Sequence, residues 1–254
     1  MAQFMYFCSV MEASGKNATF RFKQFEVRNC RSAMRVSTDA VALGAWAPLP
    51  SVCRTVWDLG AGTGVLSLMV AQRSVDSHAR ITAFEIEPEA AEEAAGNFAA
   101  SPWTDRLSIA EGDACLLCGQ LGEVDMIISN PPYFSDKRQG LRSPDDKRSL
   151  ARHSATMDYA AIIHIAAGHL SPGGLLCMIA PTEFEEDITW SAALHRLHVI
   201  RRCYLCSLPG RKPKRIMLCL SRTASQPVTE TISIQSASGG RTPEFQQLTG
   251  AFYL

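Results

Sequence analysis

Residues 124–133 read VDMIISNPPY, and this stretch decides the fold. It begins with a short apolar run of the kind that forms a buried β-strand. The two prolines cannot donate hydrogen bonds to a sheet ladder, so the strand must stop at Asn130. Pro131 also restricts Asn130 to an extended conformation, which directs the amide out of the edge of the sheet. In an open α/β sheet, this edge is where ligands bind.

The residues after the strand suit the binding of a planar group that carries an amine. Asn130 and the Pro131 carbonyl supply acceptor oxygens for both hydrogens of an exocyclic NH2, and the Tyr133 ring can stack on a base. Acceptors that pull these hydrogens out of the ring plane make the nitrogen lone pair available to an electrophile. We interpret Asn130, Pro131, Pro132 and Tyr133 as catalytic residues and include Asn130 among the cofactor-binding candidates as well; taken alone, the tetrapeptide also fits a turn with a buried asparagine.

A glycine-rich motif, DLGAGTG at residues 58–64, follows an apolar strand and precedes an apolar helical stretch. Gly60, Gly62 and Gly64 allow the backbone to approach a ligand closely. The G-x-G-x-G spacing, with Asp58 before it, suits a cationic amino group better than a dinucleotide pyrophosphate. The methionine part of S-adenosylmethionine (SAM) carries such a group, so the motif predicts a SAM site.

Two further predicted strands end in acidic residues. Glu85 closes the strand at residues 80–87 and can accept both ribose hydroxyls of a nucleoside cofactor; we prefer it to Glu87. The alternative for either glutamate is an acid at a helix N-terminus, favoured by the macrodipole. Asp113 follows the next strand and can accept a hydrogen bond from the adenine amine of the cofactor. Ile86 and Ala114 would then pack on the adenine ring.

The segment before the glycine motif alternates like a hairpin over residues 19–28 and then turns apolar over residues 40–46. Thr38 and Asp39 can cap a helix there. Alternatively, Thr38 and Asp39 form a lid over the amino-acid end of the cofactor. We include these two residues among the cofactor-binding candidates.

Basic residues cluster in three segments: the hairpin region, a polar loop at residues 135–153 and the turn at residues 208–214. The hairpin cluster fits either RNA contact or protection of a strand edge, and the polar loop either substrate binding or a plain insertion. The turn should lie on the same rim as Asn130, where it can contact phosphates. The RNA-binding candidates are Lys23, Arg28, Arg35, Lys137, Arg138, Arg211, Lys212, Lys214 and Arg215.

Composition limits the remaining classes of protein. With 254 residues, 25 Lys+Arg and 25 Asp+Glu, the chain is not a wholly basic nucleic-acid binder. Nine cysteines scattered through apolar segments indicate reduced thiols and a cytoplasmic location. The two C-x-x-C pairs, at 115/118 and 203/206, are too far apart for a short zinc module, so we expect no metal. No apolar run is long enough for a membrane span.

These motifs support a resemblance to a known family. The chain resembles class I SAM-dependent methyltransferases and, more closely, the bacterial family that methylates N6 of adenine 37 in a valine tRNA. The resemblance rests on FKQF at 22–25, GAWAP at 44–48, DLGAGTG at 58–64, SPW at 101–103, IISNPPY at 127–133 and LTGAFYL at 248–254. It implies cofactor binding by Asp58, Gly60, Gly62, Glu85 and Asp113, and target-base contacts from Asn130, Pro131 and Tyr133.

From this resemblance we expect a Rossmann-like α/β fold with a mixed seven-stranded sheet and helices on both faces. Residues 1–49 would form an N-terminal extension and residues 50–254 the methyltransferase domain. The cofactor would be SAM, converted to S-adenosylhomocysteine, and the partner a tRNA bound by a monomer. Three alternatives stay open: methylation of a glutamine side chain in a translation factor, methylation of DNA adenine, and an RNA-binding module without activity.

Overall fold

The computed structural model describes residues 19–32, 35–132 and 158–254. The strands are β1 Thr19–Arg21, β2 Glu26–Arg28, β3 Thr55–Leu59, β4 Arg80–Glu85, β5 Leu107–Glu111, β6 Val124–Ser129, β7 Leu170–Pro181, β8 His198–Cys206, β9 Arg215–Ser221 and β10 Val228–Ser233. The helices of more than three residues are α1 Thr38–Trp46, α2 Val65–Arg73, α3 Pro88–Ala99, α4 Ala114–Leu117, α5 Tyr159–His169, α6 Glu185–Leu194 and α7 Pro243–Thr249.

One large sheet organises the chain, in the order β10-β8-β9-β7-β6-β3-β4-β5. Strand β9 pairs antiparallel with β7 and β8, and the other pairs in this sheet are parallel. The predicted mixed sheet is therefore confirmed, but the prediction of seven strands is wrong, because β10 adds an eighth. Its sequence, VTETIS, is mostly polar and lies on the outer edge, so its hydrophobic pattern is weak.

Helices cover both faces of this sheet, as expected. One buried cluster contains α1, α2 and α7 side chains such as Leu43, Leu68 and Phe245; the other contains α5 and α6 side chains such as Ile162 and Ile188. Because the central strands are buried on both faces, they read as continuous apolar runs. This arrangement leaves the ends of the strands as the places where polar side chains can collect.

The parallel direction brings the ends of β3, β4, β5 and β6 to one side of the sheet, here named the carboxyl edge. Strand β6 ends at Ser129, directly before Asn130 and the prolines, as the sequence predicts. The Ser129 hydroxyl donates to the Leu59 carbonyl at 2.7 Å, which fastens the end of β6 to the end of β3.

The N-terminal hairpin β1–β2 packs on the C-terminal segment through aromatic rings. Phe22 stacks on Phe25 at 4.5 Å and on Tyr253 at 6.2 Å between ring centroids. The Lys23 backbone N–H donates to the Phe252 carbonyl at 2.9 Å. The FKQF and LTGAFYL segments that carry the resemblance therefore form one structural unit, although they lie at opposite ends of the sequence.

Candidate active site

The glycine motif forms the turn between β3 and α2. Gly60, Gly62 and Gly64 have φ values of +71°, +55° and +77°, a region that other residues rarely adopt. A Cβ at Gly64 would lie 2.5 Å from the Phe98 ring, whereas a Cβ at Gly60 would have no neighbour within 4 Å. Packing against Phe98 therefore requires a glycine at position 64. At position 60 there is open space, in which a ligand can approach the backbone.

Asp58 lies below this turn and is fully buried. Its Oδ2 accepts hydrogen bonds from the Ser67 N–H at 3.0 Å and the Ser67 hydroxyl at 2.7 Å. Its Oδ1 is also buried but has no hydrogen-bond partner among the described residues. Burial raises the pKa of Asp58 to about 7, and the nearby Glu85 carboxylate adds to the rise. A buried carboxylate with an unused oxygen fits a cationic ligand group.

Glu85 ends β4 beside the same turn and is buried. Its Oε2 accepts from the Gly62 N–H at 2.7 Å, and its Oε1 accepts from the Glu87 N–H at 3.0 Å. Each carboxylate oxygen can accept a second hydrogen bond, so the fixed side chain retains capacity for two ribose hydroxyls. Glu87 is exposed at the N-terminus of α3, so the geometry favours Glu85, as preferred from the sequence.

Asp113 and Ile86 complete this side of the edge. Asp113 caps α4 by accepting from the Cys115 N–H at 2.8 Å, and Ala114 behind it is buried. The Ile86 side chain is 39% exposed directly after β4. The Gly112 N–H donates to the Glu85 carbonyl at 2.8 Å, which joins the ends of β4 and β5. An apolar surface next to a carboxylate fits an adenine ring with its amine.

The residues around the glycine turn therefore fit SAM. The unused Asp58 oxygen suits the ammonium group, the Glu85 carboxylate suits the ribose hydroxyls, and the Ile86 surface suits the adenine. Bound there, SAM would supply an electrophilic methyl group on its sulfonium.

Asn130 lies next to the glycine turn. In the pairing of β3 with β6, Asp58 lies opposite Ile128, and the Ser129 hydroxyl donates to the Leu59 carbonyl, so Asn130 directly follows a residue that is fastened to the start of the glycine turn. Asn130 is 9% exposed, Pro131 is buried and Pro132 is half-buried. Tyr133 lies outside the described residues. An amide acceptor is thus located beside the place that fits a methyl donor.

The residues expected to cap α1 have other roles. Ser37 is the N-cap, and its hydroxyl accepts from the Ala40 N–H at 3.2 Å, so capping by Thr38 or Asp39 is wrong. The Asp39 carboxylate instead accepts from the Arg215 Nε at 2.8 Å. Since the Ser37 hydroxyl accepts the hydrogen bond at the start of α1, the Asp39 carboxylate is not needed as a cap. Its ion pair with Arg215 joins the N-terminus of α1 to the start of β9.

The predicted RNA-binding residues lie in different surroundings. Arg28 and Arg35 are exposed on the N-terminal segment, while the Lys23 ammonium donates to the Gly250 carbonyl at 2.6 Å. The turn that contains Arg211, Lys212 and Lys214 follows β8, which runs parallel to β7 and so ends at the carboxyl edge. Lys137 and Arg138, with the polar loop around them, lie outside the described residues.

The two C-x-x-C pairs are far apart in space. Cys203 and Cys206 belong to β8, whereas Cys115 and Cys118 follow β5, six strand positions away. Strand spacing of about 4.8 Å makes this separation roughly 29 Å, too far for one ion. In the described residues, no three His, Cys, Asp or Glu side chains form a group that could hold a metal. None of the described helices has the length and apolar character of a membrane span.

Several residues that shape the site were not identified from the sequence. Ser67 holds Asp58, and its only signal is a hydroxyl in the apolar stretch of α2. Asn97 donates to the Thr63 carbonyl at 2.9 Å and so fixes the glycine turn to α3. Glu93 is buried and accepts from three successive N–H groups, those of Cys30, Arg31 and Ser32, at 2.6, 3.0 and 3.0 Å.

Comparison with known proteins extends these findings. Residues 47–203 match the family model described as "Methyltransferase small domain". This matched range contains the glycine turn, the acidic strand ends and the Asn130 motif.

Curated relatives match nearly the whole chain. A Phocaeicola vulgatus protein named tRNA1(Val) (adenine(37)-N6)-methyltransferase is 39% identical over 94% of this chain and 98% of its own length. A Porphyromonas gingivalis protein of the same name is 40% identical over 92% of this chain and 94% of its own length.

Among solved structures, one described as a predicted O-methyltransferase from Agrobacterium tumefaciens has a TM-score of 0.63. It is 21% identical and covers 84% of this chain and 96% of its own. At that identity the match supports the Rossmann-like methyltransferase fold alone.

Proposed function

The chain belongs to the tRNA1(Val) (adenine(37)-N6)-methyltransferase family, and we propose that it transfers a methyl group from SAM to N6 of adenine 37 in a valine tRNA. The observation that carries this proposal is the position of Asn130 directly beside the glycine turn. With SAM at the glycine turn, this position would bring an acceptor for the amine next to the methyl donor, as adenine N6 methylation requires.

In the reaction, the chain's own residues orient the amine. Asn130 Oδ1 and the Pro131 carbonyl would accept the two N6 hydrogens, which turns the nitrogen lone pair towards the methyl carbon. Bound SAM would supply the methyl group to N6, and the proton that N6 gives up on methylation would pass to solvent. Because an unstacked base is needed, Tyr133 would stack on the flipped adenine.

On the cofactor side, Asp58 and Glu85 would hold the ammonium and ribose groups. Gly60, Gly62 and Gly64 allow close approach of the backbone, and Asp113, Ile86 and Ala114 would receive the adenine. Thr38 and Asp39 would close the amino-acid end of the cofactor. Asp39 supports this role through its ion pair with Arg215, which holds the start of α1 at the carboxyl edge.

RNA contact would come from the basic segments around the edge. We assign it to Arg28, Arg35, Lys137, Arg138, Arg211, Lys212, Lys214 and Arg215; Lys23, also a candidate from the sequence, donates to the Gly250 carbonyl, and we assign it to packing of the hairpin. A tRNA substrate is consistent with a cytoplasmic protein, and we propose that it acts as a monomer. Residues 1–49 would extend the methyltransferase domain of residues 50–254, which the packing of Phe22 on Tyr253 supports.

The test is methyl transfer from labelled SAM to total tRNA that lacks this modification, followed by nucleoside mass spectrometry. We expect N6-methyladenosine at position 37 of one valine tRNA. Label that enters protein or DNA instead would move the substrate to one of the alternatives. Failure to bind SAM in a titration would contradict the enzyme assignment itself.

A further inference from the structure

An open surface depression of about 410 Å³, called the cavity below, lies at the outer end of the carboxyl edge, between the turn after β8 and the eighth strand, β10. The side chains that define it are Tyr204, Cys206, Arg211, Lys212, Thr231 and Ser233. The chemistry proposed at Asn130 does not use this cavity, although two of its lining residues, Arg211 and Lys212, are among the candidates for RNA contact. Its volume is within the range of small-ligand sites, about 300–1,000 Å³.

The register of the sheet explains why these side chains converge. Thr231 pairs with Tyr204 and Ser233 pairs with Cys206 in parallel strands. Because alternate residues of a strand share a face, all four side chains lie on the same face of the sheet. Strand β10 therefore builds one wall of the cavity, and the turn closes it with Arg211 and Lys212.

The chemistry of the cavity suits a nucleotide. Residues 207–214 contain three basic residues and no acidic one, and Arg211 and Lys212 are exposed. The nearby Glu185 carboxylate is already engaged by Arg202 at 2.8 Å and by the Tyr204 hydroxyl at 2.9 Å. Two cations can hold a phosphate, the Thr231 and Ser233 hydroxyls can bind a ribose, and the Tyr204 ring offers a surface for a base.

The cavity is too far from Asn130 to hold the target adenine. Strands β8 and β10 lie three and four positions from β6 in the sheet. At about 4.8 Å per position, this distance is roughly 14–19 Å. We propose that the cavity binds a second nucleotide of the tRNA substrate, with its phosphate on Arg211 and Lys212 and its base against Tyr204. This inference rests on the proposed function and adds a recognition site to it.

Two changes test the cavity, each with a matched control. Thr231→Trp fills the space without altering charge; its control is Val228→Trp, at the exposed start of β10 on the other face. The double change Arg211→Ala/Lys212→Ala removes the cations; its control is Arg80→Ala at the opposite end of the sheet. Melting temperatures and S-adenosylhomocysteine affinity verify folding and an intact cofactor site.

We expect both test variants to raise KM for tRNA about tenfold while kcat stays within about twofold. The double change should also reduce the slope of the logarithm of the tRNA binding constant against the logarithm of the salt concentration, by about 0.7–0.9 per lost phosphate contact. Both controls should behave as wild type. If Thr231→Trp leaves KM unchanged, the cavity is not used and the inference is wrong, even if the charge change has an effect.

Two further experiments distinguish failure of the cavity assignment from failure of the proposed function. Titration with adenosine monophosphate tests for a free-nucleotide site: binding that Thr231→Trp abolishes without changing KM for tRNA would overturn the inference. Wild-type protein that methylates no tRNA would refute the proposed function together with this inference. Wild-type methylation with a normal Thr231→Trp variant would refute only the cavity assignment.

Discussion

The two halves of the carboxyl edge differ in how their functional side chains are held. In the proposed cofactor half, at the ends of β3, β4 and β5, each candidate carboxylate accepts a hydrogen bond from a group at the same edge: Asp58 from Ser67, Glu85 from Gly62 and Asp113 from Cys115. The substrate half comprises Asn130 and the candidate RNA-contacting segments, which are widely separated in the sequence: residues 19–35 contact α3, and residues 207–233 lie at the β8 and β10 end of the sheet.

This difference follows from the size of the ligands. A small cofactor can be bound by a few strand ends and one turn, and preorganised groups reduce the entropy lost on binding. A tRNA covers a wide surface, so its contacts must be assembled from many elements and are largely electrostatic. Changes in the two halves should therefore have separable effects on cofactor affinity, turnover and tRNA binding.

The largest expected effect comes from Asn130→Ala, at the junction of the two halves. Loss of one acceptor for the adenine amine should cost about 2–4 kcal/mol of transition-state stabilisation, or roughly 30- to 1,000-fold in kcat. S-adenosylhomocysteine affinity, measured by calorimetry, should change little, because the Asp58 and Glu85 contacts remain. An Asn130→Ala protein that methylates tRNA at the wild-type rate would refute the role of this residue.

Glu85→Gln should act on the cofactor half alone. A hydrogen bond to a charged group contributes about 1.5–3 kcal/mol, so loss of the carboxylate should raise the Kd for SAM roughly 10- to 150-fold. At saturating SAM, kcat should stay within about threefold. Glu87→Gln is the matched control, because Glu87 is exposed two residues away and should leave the Kd unchanged. Equal effects of the two changes would contradict the assignment of Glu85.

The same division explains which parts were predictable from the sequence. The cofactor half depends on short-range rules: Pro131 ends β6 at Ser129, glycines permit positive φ in the turn, and an acid follows each strand. Parallel strand order then brings these local features together. Glu85 could be preferred to Glu87 from the sequence because it is the last residue of β4, and the end of the strand places its side chain at the carboxyl edge.

The remaining features depend on tertiary contacts that local patterns do not contain. Glu93 receives the N–H groups of residues 30–32, more than sixty residues earlier in the chain, and nothing in the Ala- and Glu-rich helix α3 indicates this. Ser37 instead of Thr38 caps α1, a difference of one residue that requires the cap geometry itself. Strand β10 is mostly polar because it lies at the edge.

A smaller effect is expected from pH, through Asp58. Its pKa is raised to about 7 by burial, so below pH 7 the ligand-free protein holds this carboxyl mostly protonated. Binding of an ammonium group requires the ionised form and must expel the proton. Affinity for S-adenosylhomocysteine should therefore fall as pH decreases below 7, by up to about tenfold per unit.

Calorimetry at pH 6, 7 and 8 measures this dependence, and Asp58→Asn is its control. The amide does not titrate, so the variant should bind weakly with little change between pH 6 and 7. The stability of the ligand-free protein is a second measurement, and its change with pH should be opposite in direction to that of the ligand affinity. Because the pKa of Asp58 is higher in the folded than in the unfolded chain, the free energy of unfolding should decrease as pH rises from about 4 to 7. Wild-type affinity that is constant from pH 6 to 8 would contradict the Asp58–ammonium contact.

The smallest effects should separate two exposed cations of the N-terminal segment, Lys23 and Arg35. The Lys23 ammonium donates to the Gly250 carbonyl and joins the hairpin to the C-terminal segment. Arg35 is exposed three residues before α1, whose N-terminus is held at the carboxyl edge by the Asp39–Arg215 ion pair. Lys23→Met should lower Tm by about 1–2 °C and change KM for tRNA less than twofold. Arg35→Met should leave Tm unchanged and raise KM for tRNA about threefold. It should also reduce the slope of the logarithm of the tRNA binding constant against the logarithm of salt concentration by about 0.7–0.9. The opposite result would make Lys23 part of the substrate half, so the hairpin would contribute directly to RNA recognition as well as to packing.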